Sequence, residues 1–421
     1  MYKLAQRLHI HYAWINLVAL CLMMAGTIGL FVNCNGVLFN AILKDLGFKS
    51  GDLSIFYSVR QITAAFTVLV TVKLYLKGWG HKLVAGLAAL LAVSVGAYSL
   101  CNQVWHWYIL GFFVGIGQSS FHAIVPLVIN RWFHKNNGFA IGLAMAASGV
   151  GGMLANPLIS KLILAIGWRA TSLCVMAAGL LIVVPSSLFI LKDDPDVMGI
   201  IPYGSDDKEK AVASSTNTTT KKSTETISIP KYFFFLCMFY AVCGGSSMGH
   251  TNQVALFTQS LGYDLTISGY MTSFMMAGNL IGKVVVGMLA DRLGVFKAMY
   301  ISLVVVFCCF VCFLTFTDFL PGLLLGSACL GVAYAVYSMP SLLCLKVFGP
   351  EKYKHVLAKV SAAYAMSNAI FSTSIGFLYD FFNSFAPSFV ICGIFTAGQF
   401  ALVLLIALRL KKLHSQVPVE A

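Results

Sequence analysis

Tyr270–Leu289 reads YMTSFMMAGNLIGKVVVGML, twenty residues that carry a single charge, Lys283. At about 1.5 Å per helical residue, such a run crosses roughly 30 Å of hydrocarbon. A run this long and continuously apolar predicts a membrane-spanning helix, because barrel strands are shorter and alternate. Lys283 stands eight residues before Asp291, the next charge on that side, which puts it roughly 12 Å inside the span. A cation there costs about 3 kcal/mol on insertion scales, so such residues tend to be functional. No Asp or Glu shares the run or lies well inside any other apolar run. The expected partner of Lys283 is therefore a ligand.

The rest of the chain agrees with that span. Of its 421 residues, 59% are hydrophobic and only 10% charged, the composition of a polytopic membrane protein. Apolar runs predict twelve spans, at about 14–40, 52–76, 83–100, 105–130, 138–164, 168–191, 232–258, 265–290, 297–317, 319–346, 355–382 and 386–410. The net charge of +13 raises the possibility of nucleic-acid binding, but its distribution argues for topology. With both termini on one side, 22 of the 28 Lys and Arg fall on that side and four (Lys44, Lys49, Lys161, Arg169) on the other. This positive-inside bias predicts a multi-pass cell-membrane protein with both termini cytoplasmic and no nucleic-acid partner. The first span is expected to act as the insertion signal, since no cleavable leader precedes it.

The twelve cysteines lie mostly inside apolar runs, where Cys packs as a small hydrophobe. No metal site or cofactor is expected. Phosphate-cradling loops, metal-ligand sets and paired carboxylates are lacking from the sequence, so no enzyme activity is expected. The one long polar stretch, 192–231, contains SDDKEKAVASSTNTTTKKSTET. Its composition predicts a disordered cytoplasmic linker. It separates an N-terminal six-helix bundle (1–191) from a C-terminal six-helix bundle with a cytoplasmic tail (232–421).

The two sets of spans repeat weakly. Gly80 and Gly294 close comparable loops 214 residues apart, and Arg131 and Lys346 end comparable spans 215 apart. A parallel duplication of this kind predicts a solute site near the midplane, between the halves. The loop Gly287–Gly294, GMLADRLG, resembles the Gly-x-x-x-Asp-Arg-x-Gly signature of the major facilitator superfamily. The resemblance implies an all-α membrane fold of two pseudo-symmetric six-helix bundles, with Gly287, Asp291, Arg292 and Gly294 acting in gating and Arg131 at the matching end of the fourth span. The first-half copy of this loop departs from the pattern, with Lys73 and Lys77 in place of Gly and Asp.

Asn130-Arg131-Trp132-Phe133, Gly138-Phe139-Ala140-x-Gly142 and Ser148-Gly149-Val150-Gly151 are similar to the branch that holds the oxalate:formate antiporter and the monocarboxylate transporters. That branch places a carboxylate-binding cation where Lys283 stands. Two departures weaken close copying. Ala365 takes the place of the antiporter's second cation, and Asn279 takes the place of an aspartate in the proton-coupled members.

Lys283 and Asn279 are i, i+4 neighbours on one helical face, suited to a carboxylate and a hydrogen bond to it. The alternative is a lysine that snorkels to the interface. Arg60 lies in the outer half of the second span, with Thr63, Thr67 and Thr71 on its face. It could attract anions, or pair with Asp52 or Asp380. His122 could carry a proton. Asn33, Gln253, Tyr334 and Tyr337 are further candidate lining residues. The glycines of the fourth and fifth spans, such as Gly111 and Gly115, suit close helix contact.

Together these features predict a monomeric secondary transporter of a small organic anion, foremost a monocarboxylate, in the lipid bilayer. Coupling would be proton symport or exchange for a counter-anion. The alternatives are a transporter of a neutral or amphipathic solute, with Lys283 structural, and a non-transporting membrane sensor.

Overall fold

A computed structural model describes residues 11–205, 230–337 and 339–415. Among these, the chain is helical throughout, and the sole β feature is an isolated bridge between Phe133 and Tyr203. In hydrocarbon every backbone N–H and C=O needs a partner within the chain, and helices supply it locally.

The helices are α1 (Tyr12–Met24), α2 (Asn35–Leu46), α3 (Ser50–Leu74), α4 (Gly80–Gly96), α5 (Val104–Gln118), α6 (Phe121–Trp132) and α7 (Asn137–Pro185). After 205 they continue as α8 (Tyr232–Thr251), α9 (Val254–Ser260), α10 (Leu265–Leu293), α11 (Val295–Thr315), α12 (Leu320–Gly331), α13 (Ala333–Val336), α14 (Met339–Phe382) and α15 (Ala386–Ser415). A wider-wound stretch, Ala25–Val32, joins α1 to α2.

Among the described residues, nine helical stretches are long and apolar enough to cross a membrane. Two of them, Ser50–Leu100 and Phe139–Ile190, hold 51 and 52 residues, about 75 Å of helix and far more than one bilayer. The first kinks at Gly78. The second breaks at Gly167, whose φ of 77° and ψ of 163° suit glycine alone. α14 breaks in the same way at Gly349.

Buried apolar side chains form two clusters. One draws almost wholly on residues before 192, around Trp107, Trp132, Tyr98 and Phe121. The other draws on residues after 232, around Tyr240, Phe310, Phe389 and Tyr364. The bundles meet along two seams. On the first, α3 lies against α14. The Ser58 hydroxyl donates to the Ala369 carbonyl and contacts the Thr373 hydroxyl, and Thr373 Oγ1 donates to the Ser54 carbonyl at 3.2 Å. On the second, α7 lies against α10, with Ser273 Oγ donating to the Met153 carbonyl at 2.6 Å. Asn40 Nδ2 donates to the Ala255 carbonyl at 2.7 Å, and Gln253 Nε2 to Ser54 Oγ at 2.8 Å, between the seams.

All these bonds lie in the halves of the helices away from the chain termini, here the far face. Toward the termini, the near face, the helices part. Phe139, Leu143, Val284 and Met288 are exposed there, and Gly142 and Gly287 have no atom within 4 Å of where a Cβ would stand.

The polar stretch after 191 is ordered over its first part, unlike the disorder expected for all of 192–231. Asn16 exchanges two hydrogen bonds with the Lys192 backbone at 3.0 and 2.9 Å. Asp193 accepts from Tyr75 Oη at 2.8 Å and pairs with His81 at 2.8 Å. The Tyr203 ring packs on His11, Trp14 and Phe133. Residues 206–229 of the expected linker lie outside the described residues.

Candidate functional site

The near-face half of α10, beside the parted helices, carries Lys283. This residue sits on α10 ten residues before its end. Protein surrounds it, yet the side chain is only half-buried. The same combination marks three further side chains. His122 on α6 is exposed although enclosed. Tyr337 keeps 39% of its surface exposed although enclosed, and Tyr334 on α13 is partly exposed in a similarly enclosed place. Side chains that are both enclosed and accessible border an internal opening. His122 belongs to the first bundle, and Lys283, Tyr334 and Tyr337 to the second. Lys283 and His122 are close enough to act on each other electrostatically.

No hydrogen bond or ion pair joins Lys283 to any described residue. The ion pairs among the described residues, His81–Asp193 and Arg131–Asp194 at 3.6 Å, lie elsewhere. One turn earlier, Asn279 is 1% exposed. Its Nδ2 faces Met276 Sδ at 4.0 Å, and its Oδ1 has no partner. The helix that carries these residues packs tightly, because α10 and α12 touch backbone to backbone. A Cβ on Gly278 would stand 1.9 Å from the Ala328 carbonyl oxygen, and one on Gly331 2.0 Å from that of Met275.

A second cation closes the site toward the far face. Arg60 is 5% exposed. It pairs with neither Asp52 nor Asp380, two partners that the sequence allowed. Its guanidinium lies 5.1 Å from the Tyr57 ring centre and 5.9 Å from that of Phe56. With the Asn35 carboxamide turned so that its nitrogen donates to the Phe31 carbonyl at 2.9 Å, its oxygen accepts from Arg60 Nη1 at 3.2 Å. Arg60 Nε has no partner. Tyr334 of the opposite bundle lies within electrostatic reach of Arg60. α3 and α5 are held together by small residues, since a Cβ on Gly115 would stand 2.6 Å from the Arg60 carbonyl oxygen.

Other sequence candidates sit away from this opening or are engaged. Gln253 is buried in its bond to Ser54, a contact between bundles on the far face. Asn33 Nδ2 donates to the Ser148 carbonyl at 3.3 Å, within the first bundle. Thr67 and Thr71 bond back to carbonyls of their own helix, and Thr71 also meets the Ser120 hydroxyl. Arg131 pairs with Asp194 on the near face, and Arg292 is exposed there. Gly294 ends α10 with φ of 87°, a conformation that favours glycine. The side chain of Asp291 lies outside the described residues. Tyr57, three residues before Arg60 and on its face, is the stacking partner that the sequence did not single out. Its i−3 spacing was the available signal.

A family model of the Major Facilitator Superfamily matches residues 17–353 and 235–420. The chain belongs to the major facilitator superfamily. The transporter is 25% identical over 296 residues to the MFS-type transporter pynF of Aspergillus niger, covering 69% of this chain and 63% of that relative's length. It is 25% identical over 365 residues to monocarboxylate transporter 12 of Rattus norvegicus, covering 80% and 73%. Its fold is similar to that of a bacterial homolog of the human lysosomal transporter Spinster in an inward-facing, unoccupied conformation. That likeness has a TM-score of 0.71 at 14% identity and covers 96% of this chain and 98% of the other. The nucleoside transporter NupG is also similar, with TM-score 0.66 at 14% identity over 96% and 100%.

Proposed function

We propose that this superfamily transporter carries a small organic anion, foremost a monocarboxylate, by alternating access. One observation carries the reading: Lys283 is enclosed yet half-accessible, lies within electrostatic reach of His122 of the other bundle, and has no acid paired with it among the described residues. Closing protein around an uncompensated ammonium is costly, whereas a carboxylate that enters with it removes the penalty. Loading would thereby become a condition for passage. Asn279 would offer its amide N–H to the same carboxylate, and His122 would face it from the opposite bundle. The name of the rat relative, a monocarboxylate transporter, supports the same cargo.

The positive-inside bias supports a near face that is cytoplasmic, in a cell membrane. The two buried clusters support separate N- and C-terminal bundles, 1–191 and 232–421, which would rock about the site in a monomeric transporter. The GMLADRLG loop would gate the near face once the bundles close there.

Arg60 favours a second form of the reading. A buried guanidinium with no carboxylate and a free Nε suits a cargo with a further acceptor group, such as a 2-oxo or 2-hydroxy oxygen or a second carboxylate.

Uptake into proteoliposomes with labelled mono- and dicarboxylates, for wild type and Lys283→Ala and Lys283→Arg, tests the proposal. Lys283→Ala should abolish carboxylate uptake and Lys283→Arg should keep part of it. Unchanged carboxylate uptake by Lys283→Ala would remove Lys283 as the anion anchor, and absence of carboxylate uptake by the wild type would favour a neutral or amphipathic solute. Trans-stimulation without proton uptake would select exchange over symport.

A further inference from the structure

On the far face, α3 begins without a cap of its own. Lys49 stands at its N-cap and offers no side-chain acceptor. Ser50 and Gly51 are nonetheless buried, where orphan N–H groups are costly. The missing acceptor comes from the other bundle. Asp380, near the end of α14, accepts from the Ser50 N–H at 3.0 Å through Oδ1 and from the Gly51 N–H at 2.6 Å through Oδ2.

We propose that Asp380 is a positioning residue of the far-face gate, a detachable N-cap that one bundle lends to a helix of the other. This rests on the alternating-access reading above. The chemistry fits a latch. A carboxylate at the positive end of a 25-residue helix is favourable, and two charge-assisted bonds strengthen it. The Asp380 side chain is also exposed, so separation rehydrates both partners and stays reversible. The other hydrogen bonds between bundles described above, at Asn40, Ser58, Gln253, Ser273 and Thr373, join neutral groups.

Shape supports the same contact. Phe377, one turn before Asp380, lies against Gly51 so closely that a Cβ there would stand 2.4 Å from the ring. The helix end held in this way carries Arg60 ten residues further on. Release of the latch would therefore shift the far-face wall of the binding region as well as open a path to it.

Hydrogen–deuterium exchange of the full-length transporter in nanodiscs, without cargo, tests this independently of what the protein carries. Asp380→Asn keeps the size and removes the charge. It should speed amide exchange roughly fivefold at 50–58 and also at segments that Asp380 does not touch, 252–258 and 268–276, because all are covered by the same closed face. Asp380→Glu should restore near-wild-type exchange, and Gly51→Ala should reproduce Asp380→Asn by displacing Phe377. Faster exchange confined to 50–53 would reduce Asp380 to a local cap and overturn the proposal. So would equal effects of Asp380→Asn and Asp380→Glu. If Asp380→Asn does not fold, Gly51→Ala decides the matter by the same two segments.

Discussion

At the scale of single residues, the proposed site holds two cations with no acid paired to them among the described residues, and they differ in kind. Lys283 is a point charge on a flexible stem at an accessible wall. Arg60 is a planar group fixed against Tyr57 and Phe56. A lysine at position 60 cannot reproduce that stacking or the forked donors. Arg60→Lys should therefore lower uptake by about tenfold, the equivalent of one lost charge-assisted hydrogen bond, while expression and unfolding temperature stay close to wild type. Initial uptake rates normalised to protein in the liposome would measure this. Lys283 was legible in the sequence, because an isolated charge in an apolar run needs no tertiary knowledge to be noticed. The surroundings of Arg60 were not. Asp52 and Asp380 were available partners by depth, yet Asp380 meets backbone amides of residues some 330 positions away, and no local spacing encodes such a pairing.

At the scale of elements, helix contact is governed by where side chains are missing. α10 and α12 approach so closely at Gly278 and Gly331 that a methyl group has no room. Gly331→Ala should destabilise the protein by about 1–3 kcal/mol through overpacking, seen as a lower unfolding temperature in detergent, while Gly287→Ala, facing open space, should be silent in that assay. Gly167 breaks a 52-residue helical stretch with a backbone conformation close to glycine-only. Gly167→Ala should cost about 1–3 kcal/mol for that reason, by the same measurement. The apolar runs made the spans legible because hydrocarbon thickness sets their length. The start of the linker was misread for the opposite reason. Its composition is polar, but Asp193 and Tyr203 are each used by side chains far away in the chain, and composition averages over such single contacts.

At the scale of the whole molecule, the bundles are closed on the far face and parted on the near face. A thiol placed at the inner opening should then react from one side only. Tyr337→Cys, on the second bundle, should gain labelling by a membrane-impermeant maleimide in inside-out vesicles and much less in right-side-out vesicles, relative to the native cysteines. Equal gain in both would contradict the asymmetry. The all-α membrane fold class followed from composition and periodicity. Which face is closed could not, because a sequence compatible with two arrangements of its halves carries no mark of the one adopted.

The backbone contact between α10 and α12 has a consequence for how cargo is measured. Helices that touch without intervening side chains resist relative movement, so in the proposed cycle Lys283, Asn279 and Tyr334 would keep their mutual distances. They would form the fixed jaw of a caliper, with His122 and Arg60 on the moving one. Rigid carboxylates of graded length would then report a single adjustable dimension: short ones would be gripped by the fixed jaw alone, and the length at which transport fails would give the widest gap that the moving jaw can close.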